Sequence, residues 1–171
     1  ILVGTQMVAK GLDFPNVTLV GILQADNALI RSDYRAAESA YEMLEQASGR
    51  SGRGEKPGEV MIQTFDPSHY VLQSVRSHGY QSFFRREMQY RHLGDYPPYI
   101  YMAMLVFSHS KPETVMERAR QAVSHCRDQR ILGPVTLCMR QQKHRVRLVI
   151  KARDDDRLLH TVWDIVHALG H

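Results

Sequence analysis

The stretch Gln46-Ala47-Ser48-Gly49-Arg50-Ser51-Gly52-Arg53-Gly54 constrains this chain more than any other. Two arginines stand three apart among glycines, directly after an amphipathic helical pattern. A helix has to end here, because glycine takes up the tight turns that close helices and weakens their interiors. The guanidinium groups that follow are permanently charged and fork onto phosphate oxygens. Gln46 lies one helical turn before Arg50 and shares its face. Standing alone, such a turn would serve equally well as a solvated basic surface. It has a partner upstream, Gly4-Thr5-Gln6-Met7-Val8-Ala9-Lys10-Gly11-Leu12-Asp13-Phe14-Pro15.

Around these two segments the apolar pattern predicts a βαβ unit. Ile1–Val3 reads as a short strand. Val17–Leu23 is almost continuously apolar, which suits a parallel strand covered on both faces. Asp26 follows at its carboxyl end, where open α/β sheets bind ligands. From Asp33 the residues Tyr34, Ala37, Tyr41 and Leu44 recur at helical spacing, with Ser32 or Asp33 as N-cap. Glu59–Phe65 is the next strand. Asp66-Pro67-Ser68 then opens a helical pair, lined first by Val71, Leu72 and Val75 and then by Tyr80, Phe83, Phe84 and Met88. Tyr96-Pro97-Pro98-Tyr99 breaks the second helix, and the module after it reads β-α-β-β-α. In that module Val115, Ala119, Ala122, Val123 and Cys126 point inward from one helix. Leu158, Val162, Ile165, Val166 and Leu169 do so from the last.

The net charge of +4 is unevenly placed. Up to Pro98 there are 10 Lys and Arg against 11 Asp and Glu, and from Tyr99 onward 12 against 7. An acidic partner for the second half is the natural inference. Its sharpest feature is Arg145-Val146-Arg147-Leu148-Val149-Ile150-Lys151-Ala152-Arg153. At the strand period Arg145, Arg147, Lys151 and Arg153 share one face, and Val146, Leu148, Ile150 and Ala152 the other. Such a face either meets an anionic partner or protects an edge strand against aggregation. The 43% hydrophobic content excludes general disorder, and no apolar run approaches the ~20 residues of a membrane span. Two cysteines are too few for a disulfide framework or a zinc site, and nine scattered histidines carry no metal expectation.

Q-x-x-G-R-x-G-R, preceded by G-T-Q-x-x-x-K-G-x-D-x-P, resembles motifs VI and V of superfamily 2 helicases. More closely, Gly4–Val20, then Ser32-Asp33-Tyr34-Arg35-Ala36-Ala37-Glu38, then Gln46–Thr64 are similar to the PriA family of primosomal replication-restart helicases. Tyr96–Tyr99 and Leu132-Gly133-Pro134-Val135 carry the likeness onward. The resemblance implies an α/β chain: part of the second RecA-like lobe on a parallel sheet, then a small α+β domain. The expected division is 1–66 for the lobe, 67–98 for a helical connector and 99–171 for the C-terminal domain. The implied whole is an ATP-dependent 3′→5′ DNA helicase for primosome assembly and replication restart. Arg50 and Arg53 would face the departing γ-phosphate, with Gln46 holding their geometry. Gly4 and Thr5 would donate to a DNA phosphate beside Lys10, and Asp13 would couple the two sites. The implied cofactors are ATP and Mg2+, with zinc only in a cysteine-rich module upstream of Ile1. The implied partners are forked and single-stranded DNA, other primosome proteins, and the acidic tail of single-stranded DNA-binding protein, met by Lys151 and Arg157. A cytoplasmic location without membrane attachment follows from the same resemblance.

Gly49 and Gly54 have P-loop spacing, but Glu55-Lys56 follows, so no phosphate-cradling loop forms. The chain, opening on apolar residues without Met, reads as part of something longer and is expected to be inactive alone. Two other readings stay open. One is a nucleic-acid or protein-binding module without catalysis. The other is an RNA helicase fragment, since motifs V and VI do not separate DNA from RNA.

Overall fold

The computed structural model describes residues 1–5, 17–30, 33–49, 57–127 and 129–169. Backbone contacts divide the chain into two compact units, Ile1–Tyr90 and Arg91–His171.

In the first unit β1 (Leu19–Ile22) pairs in parallel with β2 (Glu59–Ile62), Leu19 opposite Glu59 and Ile22 opposite Ile62. Between them run α1 (Asp26–Leu29) and α2 (Ala36–Ser48), so the predicted βαβ unit is present with shorter strands. The single turn of α1 is too short to leave a periodic signal in the sequence. Ala36, Ala40, Tyr41, Leu44 and Ala47 recur at helical spacing in α2 and are all buried. The amide of Gly49 closes the helix on the carbonyls of Ala47 and Glu45. Arg35, rather than Ser32 or Asp33, occupies the N-cap. Asp33 acts just before it: its carboxylate accepts from the Arg35 amide at 3.0 Å and its carbonyl from the Ala36 amide at 3.0 Å. Ile1–Val3 is exposed and forms no strand, against expectation. Coverage of the strands on both faces is also not seen among the described residues. Val20, Ile22, Val60 and Ile62 are half-buried, whereas Leu19 and Met61 on the opposite face are exposed.

The next helices are α3 (Tyr70–Arg76) and α4 (Tyr80–Leu93). Val71, Leu72 and Val75 join Ala40, Tyr41, Leu44 and Phe83 in the core of the unit. Phe83 stacks on Tyr41 with centroids 4.4 Å apart. The expected aromatic stripe is only partly inward. Tyr80 and Phe84 are exposed, and the second buried position of α4 belongs to Glu87, which accepts a 2.6 Å bond from the Tyr70 hydroxyl.

The second unit contains β3 (Tyr101–His109), α5 (Pro112–Ser124), β4 (Arg130–Arg140), β5 (Lys143–Ala152) and α6 (Asp155–Leu169), the predicted β-α-β-β-α order. Its antiparallel sheet runs β3-β5-β4. Leu148, Ile150 and Ala152 of β5 pack with Ala122 of α5 and with Leu158 and Ile165 of α6. Val146 packs with Val115 and Ala119. Gly133-Pro134 does not break β4 but makes an irregularity within it, with the register shifting between Leu132 and Val135. Gly133 sits at φ +107, and a Cβ there would stand 2.8 Å from the Arg147 carbonyl oxygen. On α6 one expected core residue, Val166, is exposed beside Leu159 and Trp163.

The strand order overturns the edge-strand reading of Arg145–Arg153. β5 is central, hydrogen-bonded on both sides, and has no edge to protect. The junction at Gly94–Pro97 is held inside the second unit. Arg91 donates to the Pro97 carbonyl at 3.4 Å, and Arg130 pairs with Asp95 at 2.9 Å.

Candidate functional site

The motif VI-like segment begins in the last turn of helix α2. The apolar stripe of that helix is anchored in the core, which leaves Gln46 exposed at the last turn before Gly49. The core side of that helix is also electrically tuned. Burial pushes the Tyr41 phenol up, and the neighbouring Glu45 carboxylate adds to this. Glu45 in turn meets His78 at 3.0 Å. Gly4 and Thr5 are exposed and belong to no helix or strand. Lys10, Asp13, Arg50 and Arg53 lie outside the described residues.

At the carboxyl ends of β1 and β2 the sequence had pointed to Asp26 alone. Its carboxylate accepts from the Thr64 hydroxyl at 2.9 Å and from the Phe65 amide at 3.1 Å. Desolvation acts to raise this carboxyl, but the bonds from the Thr64 hydroxyl and from the Phe65, Asp26 and Asp66 amides together outweigh it and hold it below the usual carboxylate range.

The basic strand exposes a more mixed face than its period suggests. Registry places Met104, Leu132 and Val149 in one row across the sheet, and Val106, Val135 and Arg147 in the next. Met104, Val106, Leu132 and Val135 are exposed. Arg145 and Arg147, half-buried, therefore border an apolar strip on the side away from the Val146–Ala152 core. Arg153 is exposed but lies past the end of β5, and Arg157 is exposed in the first turn of α6.

Lys151 is the correction. It was expected on the surface as a contact for phosphate or an acidic tail, yet it is only 2% exposed. Its ammonium donates to the Gly94 carbonyl at 2.9 Å and sits 3.6 Å from the Tyr96 ring centroid. Burial, then the nearby Arg130 charge, pull its pKa below the ordinary lysine value, while Asp95 opposes them. An alternation pattern cannot register this, because the covering residues arrive from Gly94–Tyr96, far away in sequence.

Among the described residues no three or more His, Cys, Asp or Glu side chains are grouped to hold a metal ion. Cys126 is half-buried and directs its thiol toward the Ala122 carbonyl, while Cys138 is exposed on β4. No described helix is long and apolar enough to cross a membrane.

Comparison with known proteins falls on the same two units. Residues 1–55 match the helicase conserved C-terminal domain, and residues 92–169 match the primosomal protein N C-terminal domain. The replication restart protein PriA of Bacillus subtilis is 44% identical over 165 residues, 92% of this chain and 20% of that protein. The PriA of a Synechocystis species is 41% identical over 159 residues, 88% of this chain and 19% of its own length. The PriA of Haemophilus influenzae is 45% identical over 105 residues, covering 61% of this chain and 14% of that protein. The chain thus spans about a fifth of the length of the first two of these relatives.

Proposed function

The chain belongs to the PriA family of replication restart proteins, and we propose that it works as the carboxyl-terminal part of an ATP-dependent 3′→5′ DNA helicase in primosome assembly. The observation that carries this reading is order. The helicase-type match, residues 1–55, lies in the first unit, and the primosomal domain match, residues 92–169, lies wholly in the second.

In this reading Arg50 and Arg53, which follow α2 in the sequence, meet the γ-phosphate of ATP bound with Mg2+ against another lobe. They stabilise the charge that develops as the phosphoryl group departs. Gln46, exposed and anchored through the buried Ala47 and Leu44, fixes where the arginine-bearing segment begins. Gly4, Thr5 and Lys10 hold a DNA phosphate, and Asp13 links strand to nucleotide. Arg145, Arg147 and Arg153 offer charge to the backbone of forked or single-stranded DNA. Arg157 contributes to a site for the acidic tail of single-stranded DNA-binding protein. Lys151 takes no part in that surface, its ammonium being held by the Gly94 carbonyl and the Tyr96 ring. In this reading the zinc of such a helicase sits in a cysteine-rich module upstream of Ile1; among the described residues no three His, Cys, Asp or Glu side chains group to hold a metal ion.

The test is a pair of assays on the 171-residue chain. It should bind single-stranded and forked DNA in a salt-dependent titration and hydrolyse no ATP. ATP hydrolysis that survives purification and disappears in Arg53→Ala would overturn the division of labour between lobes.

A further inference from the structure

The carboxyl ends of β1 and β2 carry a constellation that lies outside the motif V-like and VI-like segments in the sequence. Phe65 follows β2 and is 93% exposed, a large apolar ring in water. A single exposed apolar residue needs no explanation, but Leu23 after β1 and Ile30 after α1 are exposed as well. The backbone under Phe65 is fixed rather than loose. Asp26 clamps both its amide, at 3.1 Å, and the preceding Thr64 hydroxyl, at 2.9 Å. Across from it Gln24 adopts a left-handed φ of +52, unusual for a residue with a side chain. Its amide meets the Gln63 side chain at 3.3 Å, and its own side chain accepts from Asn27 at 2.9 Å. Strained, over-determined backbone gathers at functional sites, and this end of a parallel sheet is where α/β folds bind ligands.

We propose that Phe65, held by Asp26, is a stacking platform for a base of single-stranded nucleic acid. The inference rests on the helicase reading of the first unit. The chemistry favours a base over a phosphate. Among the described residues this end is built by Gln24, Asp26, Asn27, Gln63, Thr64 and Asp66, none of them cationic and both carboxylates already hydrogen-bonded. Amide side chains suit the edges of an unstacked base, and an aromatic ring suits its face. Asp26 is a positioning residue here, since it acts through the Thr64–Phe65 backbone.

The site is tested on the 171-residue chain with fluorescein-labelled oligo(dT). Phe65→Ala should weaken binding by about 5- to 150-fold, the loss of one base–aromatic stack. The slope of affinity against salt should stay unchanged, because no phosphate contact is removed. Asp26→Ala should give a smaller loss of the same salt-independent kind. Phe65→Trp, placed in a Trp163→Phe background as the sole tryptophan, should retain binding and show quenched emission on addition of oligo(dT). Three results would overturn the site: a folded Phe65→Ala variant that binds like its parent, emission indifferent to oligo(dT), or quenching by ATP instead. The helicase reading is measured separately, through ATP hydrolysis in Arg50 and Arg53 variants of a longer chain. An unresponsive Phe65 beside inactive arginine variants rejects this platform alone.

Discussion

Lys151 shows how one side chain ties a junction to a domain. Its charge is buried with a carbonyl on one side and an aromatic face on the other, which is how a desolvated ammonium is tolerated. Lys151→Ala leaves the Gly94 carbonyl without that donor and empties the space over Tyr96. A loss of about 2–3 kcal/mol is expected, read as a lower urea midpoint with an unchanged m-value. The pH dependence has a definite sign. The folded-state pKa of Lys151 is lowered, so between it and the unfolded value of about 10.4 the unfolded chain binds more protons. Stability of the parent, measured relative to Lys151→Met, therefore rises as pH climbs through that window. A flat difference would mean that the ammonium titrates in the folded chain as it does in water. None of this was legible from the residues, because Lys151 fits the cationic alternation as well as Arg145 does. What separates them is a covering segment from Gly94–Tyr96, supplied by tertiary structure.

At the scale of elements, periodicity carried information and pairing order did not. The apolar face of β5 is the core of the second unit, as its alternation says, and the stripe of α2 is buried as its helical spacing says. Central placement of β5 follows from non-local pairing with β3 and β4, which no local pattern encodes. For the same reason half of the aromatic stripe on α4 faces outward, the neighbours of Tyr80 and Phe84 being set by how the helices cross. Two predictions belong here. Leu44→Ala, at a fully buried position of the helix that leads to the arginine turn, should destabilise the chain by about 2–5 kcal/mol in denaturant unfolding. Arg145→Ala with Arg147→Ala should leave the fold intact, since these residues lie opposite the Val146–Ile150 core. If both arginines touch phosphate, the double variant should flatten the salt slope for single-stranded DNA by ~1.4. If an acidic peptide occupies this face instead, peptide affinity falls and the DNA slope holds.

For the whole molecule, the order of a helicase-type segment and a second α+β module was readable from motif spacing and from the charge asymmetry between halves. The boundary was less so. Compactness divides the chain at Tyr90, while the Tyr96–Tyr99 signal marks only where α4 has already ended, because Asp95 and Gly94 are tied into the second unit. The proposed role of the Gln46–Gly54 segment is phosphoryl transfer across a lobe interface. Its most direct test is the DNA-stimulated ATPase rate of a longer chain carrying Arg50→Ala or Arg53→Ala, measured alongside DNA affinity. Transition-state charge predicts a fall of ~10³–10⁵ in turnover with DNA binding nearly unchanged. Normal turnover in both variants would contradict it.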